Sequence, residues 1–196
     1  MDFAIVKDAI TIIVDMRNSS NLIKDENDVQ FAEKIILEFN DLIYKAKGYP
    51  IFSKSTGDGY ILIYEAKKFV SSYEKINKLI IDISLYIGSL MKVYPDLKLG
   101  YGIGMQKSQV KIIKFETDIH NSEFLIGQSI NTASKYAYYH NRTTLGHYEF
   151  LFDGILTTAT MNSFLIKEGF EKLEQCKESS GIKGYRMNLL KRSSTS

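Results

Sequence analysis

The chain has 196 residues, 44% of them hydrophobic, with 25 Lys or Arg against 23 Asp or Glu for a net charge of +2. That size suits one packed domain, expected over residues 1–190, and the near-neutral balance excludes the basic groove of a nucleic-acid binder. A lone cysteine, Cys176, excludes an internal disulfide and a cysteine-rich metal site; no apolar run reaches the roughly 18 residues that span a bilayer and Met1–Lys7 lacks a signal-peptide pattern, so the expected protein is cytoplasmic, without membrane or nucleic-acid partners.

Phe3–Val14 reads as the first strand and ends at Asp15. Asn27 or Asp28 can cap a helix whose apolar positions Val29, Ala32, Ile35, Ile36, Phe39 and Ile43 recur at helical spacing, closed by Gly48. Tyr49–Phe52 and Tyr60–Tyr64 read as the strands of a hairpin. Its turn, Gly57-Asp58-Gly59, carries an Asp-Gly pair that tolerates positive φ. A second helix is predicted from about Lys67 to Tyr94, where Phe69, Tyr73, Ile76, Ile80, Ile83, Ile87, Leu90 and Tyr94 step by three and four until Pro95 stops it. Leu97–Met105 and Gln109–Phe115 read as a further antiparallel pair, Glu116–Glu123 as a loop, and Ser129–Tyr139 as a third helix. Gly100, Gly102 and Gly104 alternate with the period of a strand, which predicts close packing on one sheet face rather than a phosphate loop. Lys191–Ser196 reads as a disordered tail. This order predicts an α/β chain, an α+β sandwich with a ferredoxin-like βαββαβ core and a C-terminal extension. Such a fold hosts many functions and names none.

The first strand, laid antiparallel to the one starting at Tyr60, brings Asp15 and Asp58 to one sheet end. Two bare carboxylates there suit hard divalent cations carrying a phosphate substrate. Either aspartate alone is an ordinary turn residue. His120, His140 and His147 show no ligand spacing, and Tyr136, Tyr138 and Tyr139 read as helix-packing residues. Ser19 and Ser20 have no histidine near in sequence, so a hydrolase triad has no support.

Four segments in order resemble the class III nucleotidyl cyclases. Val14–Ser20 is similar to their Asp-Ile-x-Gly-Phe-Thr segment, and Lys54–Gly59 to their Lys-x-x-Gly-Asp hairpin. Leu99–Gly104 resembles their Gly-Ile-rich strand, and Ile126–Lys135 their Gly-x-x-Val-Asn-x-Ala-x-Arg helix start; Gly181–Gly184 matches a Lys-Gly-Lys-Gly turn more weakly. The resemblance implies two divalent cations, Mn2+ or Mg2+, at Asp15, Met16 and Asp58. It implies that amides over Met16, Asn18 and Ser19 bind the β- and γ-phosphates, that Lys183 holds the terminal phosphates, that Asn131 orients the ribose, and that Lys135 meets charge on the α-phosphate. The implied reaction turns a nucleoside triphosphate into a 3′,5′-cyclic nucleotide and pyrophosphate. It also implies a homodimer with composite sites, one subunit giving the carboxylates and the other Asn131 and Lys135.

The chain departs from the family pattern at two places. Lys135 stands where arginine is usual, a point charge in place of a planar fork. At the base-reading positions, Lys54 aligns with the lysine of adenylyl cyclases, but Phe124 stands where they carry an acceptor. Guanylyl cyclases carry glutamate where Lys54 stands. Together with a start almost at the first strand, which leaves no room for a sensor, this resembles the small bacterial pyrimidine cyclases of anti-phage defence, whose cyclic UMP or cyclic CMP implies a separate effector that responds to it. An adenylate cyclase and a weak cyclase-like nucleotide-binding module are the alternatives. A diguanylate cyclase would need a Gly-Gly-Asp/Glu-Glu-Phe hairpin where this chain has Gly57-Asp58-Gly59-Tyr60.

Overall fold

In the computed structural model the described residues are 2–23, 28–69, 73–116, 121–138, 149–153, 174–176 and 184–188. The elements run β1 (Asp2–Arg17), α1 (Val29–Ala46), β2 (Phe52–Ser55), β3 (Gly59–Glu65), α2 (Ala66–Phe69), α3 (Tyr73–Val93), β4 (Gly100–Glu116), β5 (Asn121–Ile126), α4 (Gln128–Ala137), β6 (Glu149–Asp153), β7 (Glu174–Cys176) and β8 (Gly184–Asn188). The strands form one sheet in the order β2-β3-β1-β4-β6-β8-β7, with β5 also paired to β4. Its first four members have the order expected of the ferredoxin-like core, and β6, β7 and β8 are the C-terminal extension.

Strand alternation sends the two sets of β1 side chains to opposite faces. Ile10, Ile12, Val14 and Met16 join Phe39 and Ile43 of α1 and Ile83 and Ile87 of α3 in the main core. Thr11 and Ile13 face α4 instead: Thr11 Oγ1 lies 2.9 Å from Ser129 Oγ in a buried hydrogen bond, and Ile13 packs on Ala133 and Ala137. The alternating glycines explain how α4 comes so close. A Cβ on Gly102 would stand 1.8 Å from the carbonyl oxygen of Ala137, and one on Gly104 would stand 1.9 Å from that of Ala133. As expected, the glycine track is a packing surface.

Three expectations about boundaries are corrected. Leu97–Met105 and Gln109–Phe115 are not two strands of a hairpin. Gly100–Glu116 is one continuous strand that pairs with β1 from Arg17↔Gly100 to Asp2↔Lys114. The polar stretch Lys107-Ser108-Gln109 lacks the Gly, Pro or Asn of a reversal. It sits instead at a β-bulge, where the register shifts between Val6 and Ala9 and Lys107 Nζ meets Asp8 Oδ1 at 3.1 Å. Residues Asn121–Glu123, read as loop, belong to β5, which β4 is long enough to pair from Lys111↔Ile126 to Glu116↔Asn121. The first hairpin strand starts at Phe52, not Tyr49; its ladder opens at Phe52↔Ile63, with Ile51 N donating to Ile63 O at 2.7 Å just before it.

The first helix matches its reading, with Asp28 at the N-cap and Gly48 past its end at φ 68°. The expected second helix is described as α2 and α3, with 70–72 outside the described residues. The tail at 191–196, Lys183, His120, His140 and His147 also lie outside them. Among the described residues no helix is long and apolar enough to cross a membrane.

Candidate active site

The site begins with a turn. β2 and β3 pair up to Ser55↔Tyr60, and Thr56 N donates to Gly59 O at 3.0 Å, which leaves Gly57 and Asp58 as a two-residue loop. The positive φ, 97°, falls at Gly57, ahead of Asp58 and not at the Asp-Gly pair the sequence suggested. A two-residue hairpin with glycine first is the other turn type whose twist matches its strands. Gly59 serves a different end: a Cβ there would lie 2.5 Å from Val14 O, so its bareness lets the turn close on β1.

That closure sets the two aspartates side by side. Asp15 pairs with Gly59, and Met16 N donates to Asp58 O at 2.9 Å. Asn40 of α1 holds the turn from below, its Nδ2 donating to Gly57 O at 2.7 Å and Ile36 O at 2.9 Å while its Oδ1 accepts from Ser55 Oγ at 2.9 Å. Asp58 also has a hydroxyl partner, for Ser19 Oγ donates to Asp58 Oδ2.

The electrostatics follow from this crowding. Burial first, and then the negative charge of Asp58, push the Asp15 carboxyl up to about 7. The Arg17 guanidinium and the Tyr138 hydroxyl act the other way without cancelling that rise. Burial and the charges of Asp15 and Asp58 likewise push the Tyr138 hydroxyl up. Arg17 is itself buried and donates from Nη2 to the carbonyl of Ala137 at 3.2 Å, which ties the end of α4 to the end of β1.

The structure places the remaining candidates as follows. Met16 buries its side chain in the core on the face opposite Asp15, and its amide is already bonded to Asp58, so that amide is not free for phosphate. Asn18 takes a left-handed conformation at φ 59° and donates from Nδ2 to Lys98 O at 2.7 Å. After Asn18 the chain makes the 3-10 turn Ser19–Leu22. Asn131 and Lys135 lie on the exposed side of α4, two turns and one turn before Tyr138; at about 1.5 Å per residue Asn131 is about 10 Å along the axis from it. The carboxylate pair therefore stands apart from Asn131 within one chain. Lys54 sits on exposed β2 opposite Ile61, on the α4 side of the sheet.

Phe124 does not share that side. It pairs with Ile113, is 54% exposed, and points to the opposite face. Alternation gives the α4 side to Leu125, which pairs with Ile112 and packs against the cluster of Ala9, Phe52, Ile63, Val110 and Ile112.

Sequence reasoning missed Asn40, Arg17 and Tyr138. Asn40 and Arg17 carry no local signal. Tyr138, read as a packing residue, is half exposed and stands within the electrostatic reach of Asp15 and Asp58; its spacing from Asn131 and Lys135 on one helix stripe is the signal that would have found it.

No protein-family model matches the chain, and no curated protein matches it. Solved structures do. The adenylyl cyclase CyaB from P. aeruginosa aligns over 98% of both chains with 14% identity and a TM-score of 0.58. A bacterial light-regulated adenylyl cyclase aligns over 98% of this chain and 55% of its own, with 16% identity and a TM-score of 0.62. The guanylate cyclase domain from Catenaria anguillulae, in complex with GTP, aligns over 95% of this chain and 98% of its own, with 16% identity and a TM-score of 0.52. At these identities the likeness shows a shared fold: the sheet and helices of this chain have the arrangement of a cyclase catalytic domain.

Proposed function

We propose that the chain is a nucleotidyl cyclase, which forms a 3′,5′-cyclic nucleotide and pyrophosphate from a nucleoside triphosphate. The observation that carries this reading is the closure of the Gly57-Asp58 turn on Asp15, which joins two carboxylates at one sheet end of a cyclase-type fold.

The donor set fits two divalent cations, Mn2+ or Mg2+. Both ligands are hard carboxylates, and the rise at Asp15 marks negative charge that Arg17 alone does not neutralise. Among the described residues no group of three or more His, Cys, Asp or Glu side chains converges, so the oxygens of a bound triphosphate would complete the coordination. Of Met16 only the main-chain carbonyl remains as a donor. Bound there, the cations would neutralise the phosphates and acidify the ribose 3′-hydroxyl.

The chain's own residues would do the rest. Asp15 and Asp58 fix where the triphosphate lies. Asn131 orients the ribose so that its 3′-oxygen meets the α-phosphorus in line with the departing pyrophosphate. Lys135 faces charge developing on the α-phosphate, as a point charge without bidentate geometry. Lys183 is assigned the terminal phosphates. Because Asn131 stands apart from the carboxylates within one chain, the active unit would be a homodimer whose two sites each draw on both subunits.

A pyrimidine substrate, UTP or CTP, is the preferred reading of the base pocket. The residue on Lys54's face is Leu125 rather than Phe124, and both are hydrocarbon. Neither accepts a hydrogen bond from the exocyclic amine of adenine, and an unpaired buried amine costs about 1–3 kcal/mol. Lysine donates only, so uracil with its two carbonyls is favoured over cytosine. The product would be a messenger for a separate effector, as in antiviral signalling. The test is competition among ATP, GTP, CTP and UTP at equal concentration with Mn2+, with products identified by mass. Cyclic UMP or cyclic CMP is the expected main product. Cyclic AMP would replace this with the adenylate cyclase reading, and no cyclic product would leave a nucleotide-binding module.

A further inference from the structure

We propose that Ser19 is a positioning residue that holds the carboxylate pair for its cation through its hydroxyl on Asp58. The inference rests on the reading above, in which Asp15 and Asp58 bind a divalent ion.

Ser19 opens the 3-10 turn that follows β1 and donates from Oγ to Asp58 Oδ2 in the hairpin turn. Its mount is held from both sides: Asn18 Nδ2 donates to Lys98 O at 2.7 Å, and Asn21 Nδ2 donates to Leu97 O at 2.8 Å.

An ionised carboxylate accepts about four hydrogen bonds. One hydroxyl occupies one of these sites and leaves the others for a cation, while it stops the group from rotating. Rotation matters here because two like charges, free to turn, move their oxygens apart and open the site. Donors that orient metal ligands in this way typically contribute 10–100-fold to metal affinity. The Ser19 hydroxyl therefore acts through Asp58, a role separate from the phosphate contact that the resemblance implied for its amide.

The test is the Mn2+ dissociation constant of the nucleotide-free protein, read from the paramagnetic resonance signal of free Mn2+. Ser19→Ala should raise it about 10–100-fold with an unchanged circular-dichroism spectrum. Ser19→Thr, which restores a hydroxyl, should recover most of the loss, an effect that a purely structural role for Ser19 would not produce. The proposal is overturned by a Ser19→Ala dissociation constant within twofold of the original, by Thr as weak as Ala, or by an original chain that binds no Mn2+. Its fate is separable from that of the cyclase reading. Mn2+ binding that Asp58→Asn abolishes, without turnover of any nucleotide, would sink the enzyme and leave the positioning role. Turnover with unshifted Mn2+ affinity in Ser19→Ala would do the reverse.

Discussion

Asp15 is the residue on which charge and stability meet. Its carboxyl rises from an ordinary 3.8 to about 7, with burial as the larger cause and Asp58 as the second. The folded state therefore keeps a proton between about pH 4 and pH 7 that the unfolded chain has lost. Stability in the absence of metal should fall as pH rises through that window and level off above it. Asp15→Asn carries no such charge, so its metal-free melting temperature should exceed that of the original chain at pH 8 and lose that advantage near pH 4. Millimolar Mn2+ should raise the melting temperature of the original chain at pH 8, much less at pH 5, and not at all in Asp15→Asn. Melting curves at the two pH values, with and without Mn2+, check all three outcomes. Asp58→Asn should reduce turnover by orders of magnitude with little loss of fold, because its side chain bonds only to Ser19 and lies outside the core.

At the scale of elements, α4 is set by contact with bare backbone. Gly104→Val would drive a branched side chain into the carbonyl of Ala133. Overpacking of this kind costs about 1–3 kcal/mol, and displacement of α4 would carry Asn131, Lys135 and Tyr138 with it. Denaturant unfolding should show the lower stability, and turnover should fall further than the stability loss explains. Asn40→Ala tests the hairpin in the same way. It removes the support beneath Gly57 and Ser55, both exposed, so each lost bond should cost only about 0.5–1.5 kcal/mol. These elements differ in how far the sequence announces them. Helical spacing from Val29 to Ile43 and the two-residue period of Gly100, Gly102 and Gly104 are local signals, and the helix and the packing track are where they point. The single long β4 is not local: only its pairing with the whole of β1 shows that Lys107–Gln109 is a bulge and not a reversal. The same limit applies to the site. The aspartates stand beside recognisable turns, whereas Phe124 and Leu125 differ only in which face of β5 they take, a choice made by the β4 register.

For the whole molecule, the decisive question is whether one chain holds a complete site. The carboxylates end β1 and its hairpin, and Asn131 lies two turns up the outer side of α4. If each site draws on two subunits, a mixture of inactive Asp58→Asn with inactive Asn131→Ala should regain part of the activity through mixed dimers carrying one intact site. Activity measured against mixing ratio, with sedimentation to establish subunit exchange, decides it. Exchange without recovery would place the whole site within one chain.

The pairing of β1 with β4 also imposes a timetable on synthesis. Residues 2–17 cannot complete their ladder until 100–114 have been made, an interval on the order of ten seconds at ordinary elongation rates. Meanwhile the apolar run Ile10–Val14 has one nearby partner, β3, through pairs from Ala9↔Glu65 to Asp15↔Gly59. That early pairing would guard against the edge-to-edge association that exposed strands invite. Changes that weaken it, such as Ile61→Lys, should lower the soluble fraction of newly made protein more steeply than they lower the melting temperature of what survives, because the nascent chain depends on this pairing before the finished molecule does.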